Sequence, residues 1–181
     1  MFEDLSNITD EILETEKKLK IKIKETALNQ FKPAIKEAII QLRELVPELI
    51  KIEWTQYTPY FNDGEPCEFS VNEPYFYLSG LVSEEEKREM DDEGLHPEER
   101  EDCIEFYSYR SQWKYDPSSK WGAHKLINEG KLSLEAAKAM ANFSTKLLAS
   151  EALLKVVFGD HTKVLIDVLT GDIESESYDH E

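Results

Sequence analysis

The chain of 181 residues has only four histidines and two cysteines, the residue types that most often bind zinc or act as nucleophile and base. The four histidines are scattered, and none has a second histidine three or four residues away to form one face of a metal site. Asp160-His161 and Asp179-His180 would meet if a terminal hairpin folds back, and their carboxylates and imidazoles would then be suitable metal ligands. Residues at exposed turns are more often solvated than metal-bound, so we expect no metal and no other cofactor.

The two cysteines, Cys67 and Cys103, fit neither a disulfide-rich scaffold nor a four-ligand zinc site. We therefore expect both to be free thiols. Cys67 would need a distant histidine to act as a nucleophile. It also alternates with Phe69 and Val71, which predicts a strand with these side chains facing the core, and we favour this buried position.

No motif of a known catalytic mechanism is present. The sequence has no glycine-rich phosphate loop, no GxSxG elbow, no HExxH and no paired CxxC. This absence favours a binding protein over an enzyme. A small ligand-binding or metal-binding enzyme, built on the aromatic stretch at 54–68 and on Asp160, His161 and His180, stays open as an alternative.

The stretch WTQYTPYFNDGEPCE at 54–68 has more aromatic and polar side chains than a turn requires. Asn62, Asp63 and Gly64 tolerate positive φ and are enough to predict a tight reversal. Trp54 belongs to the apolar face of its strand, so we expect it in the core. The remaining groups resemble a protein-binding hot spot, or else they cap the open end of the core. The candidate partner-binding residues here are Tyr57, Tyr60, Asn62, Asp63 and Glu65.

The net charge of −17 is the strongest global feature. It repels phosphate backbones and anionic lipid surfaces, so we expect neither direct nucleic-acid binding nor membrane binding. Residues 83–105 hold twelve acids and three bases, and residues 167–181 hold six acids and no base. These acids either solvate a loop and a sheet edge or form a surface that fits a basic groove on another protein. The candidate partner-binding acids are Glu84, Glu85, Glu86, Asp91, Asp92 and Glu93.

The N-terminal region is predicted to be helical. Thr9 is a suitable N-cap for a first helix, and Pro33 suits the first position of a second helix that ends near Pro47. Alternating residues then predict strands near 50–55, 67–71, 74–78 and 104–109. The acidic segment at 83–103 has no apolar period, so we expect a mobile loop or an exposed, mobile helix there.

The last third is predicted to contain helices at 120–128, after Ser133 and at 151–158, followed by a β-hairpin that turns at 170–172. Its last strand, 173–178, is rich in serine and glutamate and is typical of a solvated edge. The sequence therefore predicts one α+β domain over 1–181. Its antiparallel sheet would have the N-terminal helices and the helical segment before the C-terminal hairpin packed on one face.

Two segments, YFNDGEPC at 60–67 and the YDHE tail at 178–181, resemble a group of small acidic bacteriophage and prophage proteins of unknown function. The resemblance covers about a quarter of the chain and assigns no catalytic residues. It implies a phage-encoded protein that binds a host protein, and some small acidic phage proteins do so by imitating the charge of DNA.

These observations together predict a non-enzymatic acidic protein that inhibits a basic, nucleic-acid-handling host protein. A DNA mimic or a counter-defence protein such as an anti-CRISPR would have this character. An acidic immunity-type partner of a toxin is a further alternative. The acidic start of the sequence and the lack of a long apolar run predict a cytoplasmic location, and the oligomeric state stays open.

Overall fold

The structure is a computed structural model that describes residues 2–61, 64, 66–105 and 123–179. Its helices are α1 (Phe2–Leu45), α2 (Glu84–Asp92), α3 (Ala123–Asn128), α4 (Leu134–Leu148) and α5 (Glu151–Phe158), and a 3-10 turn spans Pro97–Glu99. Its strands are β1 (Leu49–Tyr57), β2 (Ser70–Val71), β3 (Tyr75–Leu78), β4 (Cys103–Glu105), β5 (Thr162–Asp167) and β6 (Ile173–Ser177). The predicted α+β class is confirmed.

The strands form one antiparallel sheet in the order β4-β3-β1-β5-β6, and the short β2 also pairs with β1. β1 is central because it pairs with β3 along one side and with β5 along the other. The predicted C-terminal hairpin is β5 with β6, and β6 lies at an edge of the sheet. The β4 end and the β6 end are therefore the two opposite edges.

The hydrophobic core lies between one face of the sheet and four helices, to which α3 contributes Leu126. Ile52 and Trp54 alternate along β1 with half-exposed or charged residues, and both are fully buried, as predicted for Trp54. The helices contribute Ile39 from α1, Met140 from α4 and Leu154 from α5 to the same cluster. α4 begins at the predicted cap, where the Ser133 side chain accepts a hydrogen bond from the backbone N–H of Ala136.

α1 is one continuous helix, so two predictions about the N-terminal region are wrong. The helix begins at Phe2 and not at Thr9, because no proline or glycine precedes Thr9 to stop it. Pro33 lies inside the helix and does not open a second one. Pro33 and Asn29, whose carbonyl loses its usual donor, are both exposed, a position in which water can replace the missing donor.

The connection from β1 to β2 begins after Tyr57, and two residues of the predicted tight reversal, Asn62 and Asp63, lie outside the described residues. Tyr57 pairs with Ser70, so residues 58–69 form the connection, and only Ser70–Val71 of the predicted second strand pairs with β1. Pro59 and Pro66 have no N–H to donate to a ladder, which opposes pairing in this segment. The prediction of a buried Cys67 is wrong, because Cys67 lies in this loop and is exposed.

The other predicted elements agree with the structure where it describes them. The strand at 104–109 is present as β4, but residues 106–109 lie outside the described residues. The helix at 120–128 is present from residue 123 onward. The acidic segment contains the exposed helix α2, and its mobility stays a prediction.

Candidate partner-binding surfaces

Two residues of the aromatic stretch have structural roles inside the core. The indole N–H of Trp54 donates to Oε1 of Gln56 at 3.2 Å. Nε2 of the fully buried Gln56 donates to the backbone carbonyls of Leu154 and Gly159. Because a buried amide must have its hydrogen bonds satisfied, this set of contacts ties β1 to the end of α5.

Thr58 extends the same connection to the turn between α5 and β5. Its backbone N–H donates to Oδ1 of Asp160 at 2.8 Å, and its hydroxyl donates to Oδ2 at 2.6 Å. The Lys155 ammonium lies 3.1 Å from Oδ2. Partial desolvation alone would raise the pKa of Asp160, but the hydrogen bonds from Thr58 and Lys155 outweigh it and hold the pKa at about 2.

An aromatic corner, which we define as Tyr57, Tyr60, His161 and Tyr178, lies beside that turn. The Tyr60 ring stacks on the imidazole of His161 with centroids 4.7 Å apart, and Tyr57 lies 5.7 Å from Tyr178. Tyr60 is 69% exposed, although its hydroxyl lies 3.4 Å from a carboxylate oxygen of Asp179. Desolvation and the Asp179 charge both raise the pKa of Tyr60. The corner therefore presents an exposed aromatic surface.

The same corner tests the metal-binding alternative. The backbone at His161 has a positive φ of 51°, and its buried Nδ1 has no hydrogen-bond partner within the described chain. Both oxygens of Asp160 are already engaged by Thr58 and Lys155. No group of three or more histidine, cysteine, aspartate or glutamate side chains in the described residues is placed to hold a metal ion. His180 lies outside those residues.

Three other predicted site residues in the aromatic stretch also lie outside the described residues. They are Asn62, Asp63 and Glu65. Of the predicted set, the structure places Tyr57 in the aromatic corner, half-buried, and Tyr60 on its outer side. Phe61, which the sequence did not single out, follows Tyr60 and is 79% exposed. An exposed aromatic pair next to a charged turn is typical of protein-binding surfaces.

Helix α2 carries the predicted acidic residues on a defined scaffold. Its first turn is fixed by a capping box, in which Ser83 Oγ accepts from the Glu86 N–H and Glu86 Oε2 accepts from the Ser83 N–H at 2.7 Å. These hydrogen bonds from Ser83 lower the pKa of Glu86. At the other end of the helix, Met90 is buried. The helix thus has one packed side and one acidic side.

Arg100 attaches α2 to the edge of the sheet. Its guanidinium lies 2.7 Å from a carboxylate oxygen of Asp91 on α2, and it makes two bonds of 2.9 and 3.0 Å to Asp102 next to β4. The hydrogen bond to Asp102, followed by that to Asp91, raises the pKa of Arg100 against the effect of its burial. The guanidinium also lies over the Tyr77 ring at 5.6 Å. A bidentate pair of this kind is geometrically specific.

The six predicted acids of α2 therefore divide into two groups. Glu86 and Asp91 hold the helix in place. The other four, which are Glu84, Glu85, Asp92 and Glu93, are exposed and form no ion pair within the described chain. Three unpaired carboxylates on this short helix and a fourth at its C-cap share its exposed side with Arg88.

The second acidic segment lies far from the first. Glu174 and Glu176 are on β6 and are exposed, and Glu176 has only a 3.8 Å contact with Lys163. β4 and β6 are the two edges of the sheet, four strand spacings apart, which is about 19 Å at ~4.8 Å per spacing. The two acidic surfaces therefore flank the sheet and do not form one continuous row.

Sequence reasoning missed a buried carboxylate on the sheet face opposite the helices. Glu53 is 4% exposed, and its oxygens lie 3.1 Å from Lys51 Nζ and 3.0 Å from Lys163 Nζ. The Tyr77 hydroxyl also donates to it at 3.3 Å. Burial opposes its charge, but Lys163 and Lys51 lower its pKa overall. Alternation along β1 places Glu53 on this face, but it does not reveal that Tyr77 covers it.

Neither Cys67 nor Cys103 has surroundings within the described residues that would activate its thiol as a nucleophile. Both are free, as predicted. Burial raises the pKa of Cys103, and the nearby Asp102 charge adds to this effect, so the thiol stays protonated near neutral pH. Cys67 is exposed in the loop between β1 and β2, and its thiol forms no hydrogen bond or ion pair within the described chain.

Comparisons of the sequence with models of known families and with characterised proteins, and of the fold with solved structures, found no match. Within the described residues, no helix has the length and apolar character that crossing a membrane requires. By its fold and its surfaces, the chain is an α+β protein with an acidic helix at one edge of the sheet and an aromatic corner beside β5.

Proposed function

We propose that this chain is a non-enzymatic binding protein that presents the acidic face of α2 to a basic surface of another protein. The observation that carries the proposal is the separation of roles on α2, where Ser83, Arg100 and Met90 fix the helix and four carboxylates stay in water. A surface that only keeps the protein soluble does not need a helix held in a fixed position, whereas a binding surface gains affinity from pre-organisation.

The class of partner follows from charge. A protein with a net charge of −17 is attracted to strongly basic surfaces, and the most basic surfaces in cells belong to proteins that handle nucleic acids. The nucleic-acid-binding groove of such a protein holds rows of phosphates, and the α2 carboxylates would compete with these phosphates for the groove. We therefore propose a nucleic-acid-handling protein as the target, inhibited by occupation of its groove. A phage-encoded origin, in which the target is a host protein, is part of the same proposal.

The aromatic corner supplies the kind of contact that charge does not. Charges across a wet interface steer association, while large buried side chains slow dissociation. Tyr60 and Phe61 are the exposed aromatic side chains near the corner, and we propose that they form a second, shorter-range contact in the complex. We therefore expect changes on α2 to alter the association rate and changes at Tyr60 and Phe61 to alter the dissociation rate.

Capture experiments test the proposal with a matched control. The protein is immobilised and exposed to cell lysate as wild type, as Glu84→Lys/Glu85→Lys, and as Glu44→Lys/Glu48→Lys. Both variants change the net charge equally, and all four substituted residues are exposed. We expect a basic protein to be retained by the wild type and the α1-end control, to be lost from the α2 variant, and to be displaced by added duplex DNA.

Two results would count against the proposal. Equal loss of the retained protein from both charge variants would mean that net charge alone attracts it. Retention that duplex DNA does not reduce would mean that the partner's nucleic-acid groove is not the contact surface.

A further inference from the structure

The first half of α1 has an apolar stripe that faces water. Every side chain described from residue 8 to residue 26 is exposed. Six of these are large aliphatic residues that are each more than half exposed. Leu13 and Ile21 lie on other sides of the helix, and the stripe consists of Ile8, Ile12, Leu19 and Ile23. Their spacing of four, seven and four residues places them on one side of the helix. A stripe of this kind is unusual on a surface unless another helix covers it.

The charges on the same helix are separated along its length. Residues 1–16 contain six acids and no base, and residues 17–24 contain five lysines and no acid. A second copy aligned in parallel would place acids beside acids and lysines beside lysines. A second copy aligned antiparallel would place each acidic section beside a lysine section. Charge therefore favours the antiparallel arrangement.

The apolar stripe fits the same arrangement in a single register. If the symmetry axis passes between Thr15 and Glu16, Ile8 lies opposite Ile23 of the second copy and Ile12 lies opposite Leu19. Both pairs are met at once, and two-fold symmetry repeats them on the other side of the axis. In this register Glu11 falls between the levels of Lys18 and Lys22 of the second copy. Charge therefore selects the antiparallel orientation, and apolar contact selects the register.

A groove continues the stripe toward the body of the protein. It has a volume of about 640 Å³ and is lined by apolar residues that include Leu19, Ile23 and Phe31 of α1 and Leu153 of α5. In the antiparallel register, residues 19–29 of one copy lie opposite residues 2–12 of the other. The first turns of the second helix would therefore run along this groove and cover it.

We propose that the chain forms an antiparallel two-fold dimer through the first half of α1. This proposal does not depend on the acidic face of α2. An anionic lipid or nucleic acid is a poorer occupant than a second copy, because the acidic section at residues 1–16 would repel a phosphate surface.

Mass measurement in solution is the first test. Light scattering of the full chain over a concentration series should give twice the chain mass of 21.0 kDa. Ile12→Ser/Ile23→Ser should give the mass of one chain. The matched control, Ile40→Ser, removes an aliphatic side chain that is 56% exposed on the packed half of the same helix, and it should remain dimeric. A wild-type mass of one chain at every concentration would overturn the proposal.

Cysteine crosslinking tests the orientation. In a Cys67→Ser background, the two variants Ile12→Cys and Leu19→Cys are oxidised separately and then as a mixture. In this register, position 12 of one copy lies seven residues along the helix axis from position 12 of the other, and the same holds for position 19. Seven residues correspond to about 10 Å, which exceeds the ~7 Å Cα limit for a disulfide. Only the mixture should crosslink. Crosslinking of either variant alone would indicate parallel helices or another register and would overturn the proposed alignment.

Discussion

Replacing Trp54 and Tyr60 separately by alanine tests the roles assigned to the two aromatic residues. Trp54 is fully buried, packs edge-on against Phe158 with centroids 5.7 Å apart, and donates to Gln56. Truncating a core aromatic residue costs about 3–5 kcal/mol of unfolding free energy. The loss of the donor to the buried Gln56 oxygen places Trp54→Ala toward the upper end of that range.

The corresponding loss for Tyr60→Ala should be much smaller. Its ring is 69% exposed, and its described contacts are one stacked imidazole and one long hydrogen bond. Guanidinium unfolding at neutral pH measures both losses, and thermal unfolding should show a decrease of about 6–20 °C in Tm for Trp54→Ala, at ~2–4 °C per kcal/mol. Similar losses from both variants would refute the division into a core residue and a surface residue.

Three further predictions concern the contacts that build these surfaces. Gln56→Leu should reduce the unfolding free energy by about 1–3 kcal/mol in chemical denaturation, because it leaves the carbonyls of Leu154 and Gly159 without their side-chain donor; unchanged stability would contradict the role of Gln56. Ser83→Ala should cost about 1 kcal/mol, measured in the same way, and should lower the helical circular dichroism signal of α2; a neutral effect would contradict the capping box. The pKa of Asp160 is lowered from its ordinary value to about 2, so the stability that its ionised form contributes is complete above about pH 4 and is lost as the pH falls toward 2. Asp160→Asn should flatten this part of a curve of Tm against pH. The change should be modest, because the side chain is 32% exposed.

Strand alternation and caps were predictable from the sequence because they depend on neighbouring residues. The alternation of Ile52 and Trp54 with charged residues predicted the central strand, and Ser133 predicted the start of α4. Pro33 misled the prediction because a proline can occupy a helix interior when its neighbours are exposed and the following turns pack on a core. That outcome depends on tertiary contacts and not on local preference.

The candidate site was predictable only in part. Clusters of acids are visible in the sequence, and the capping box of Ser83 with Glu86 is a local motif, but the structural role of Asp91 depends on Arg100 being close in space. The meeting of Tyr60 with His161 joins residues about a hundred positions apart, and no periodic pattern predicts it. The burial of Glu53 likewise depends on partners from other strands.

The central claim is that the acidic face of α2 binds the partner. Its most direct test is the rate of association with the captured partner, measured by stopped flow or surface plasmon resonance at two salt concentrations. The account predicts that wild-type association slows steeply between low salt and ~0.15 M, where charges are screened over ~8 Å. It also predicts that Asp92→Lys/Glu93→Lys slows association about tenfold or more while the unfolding free energy stays nearly unchanged. If this variant associates at the wild-type rate and Tyr60→Ala abolishes binding, the acidic face of α2 is not the binding surface and the aromatic corner is.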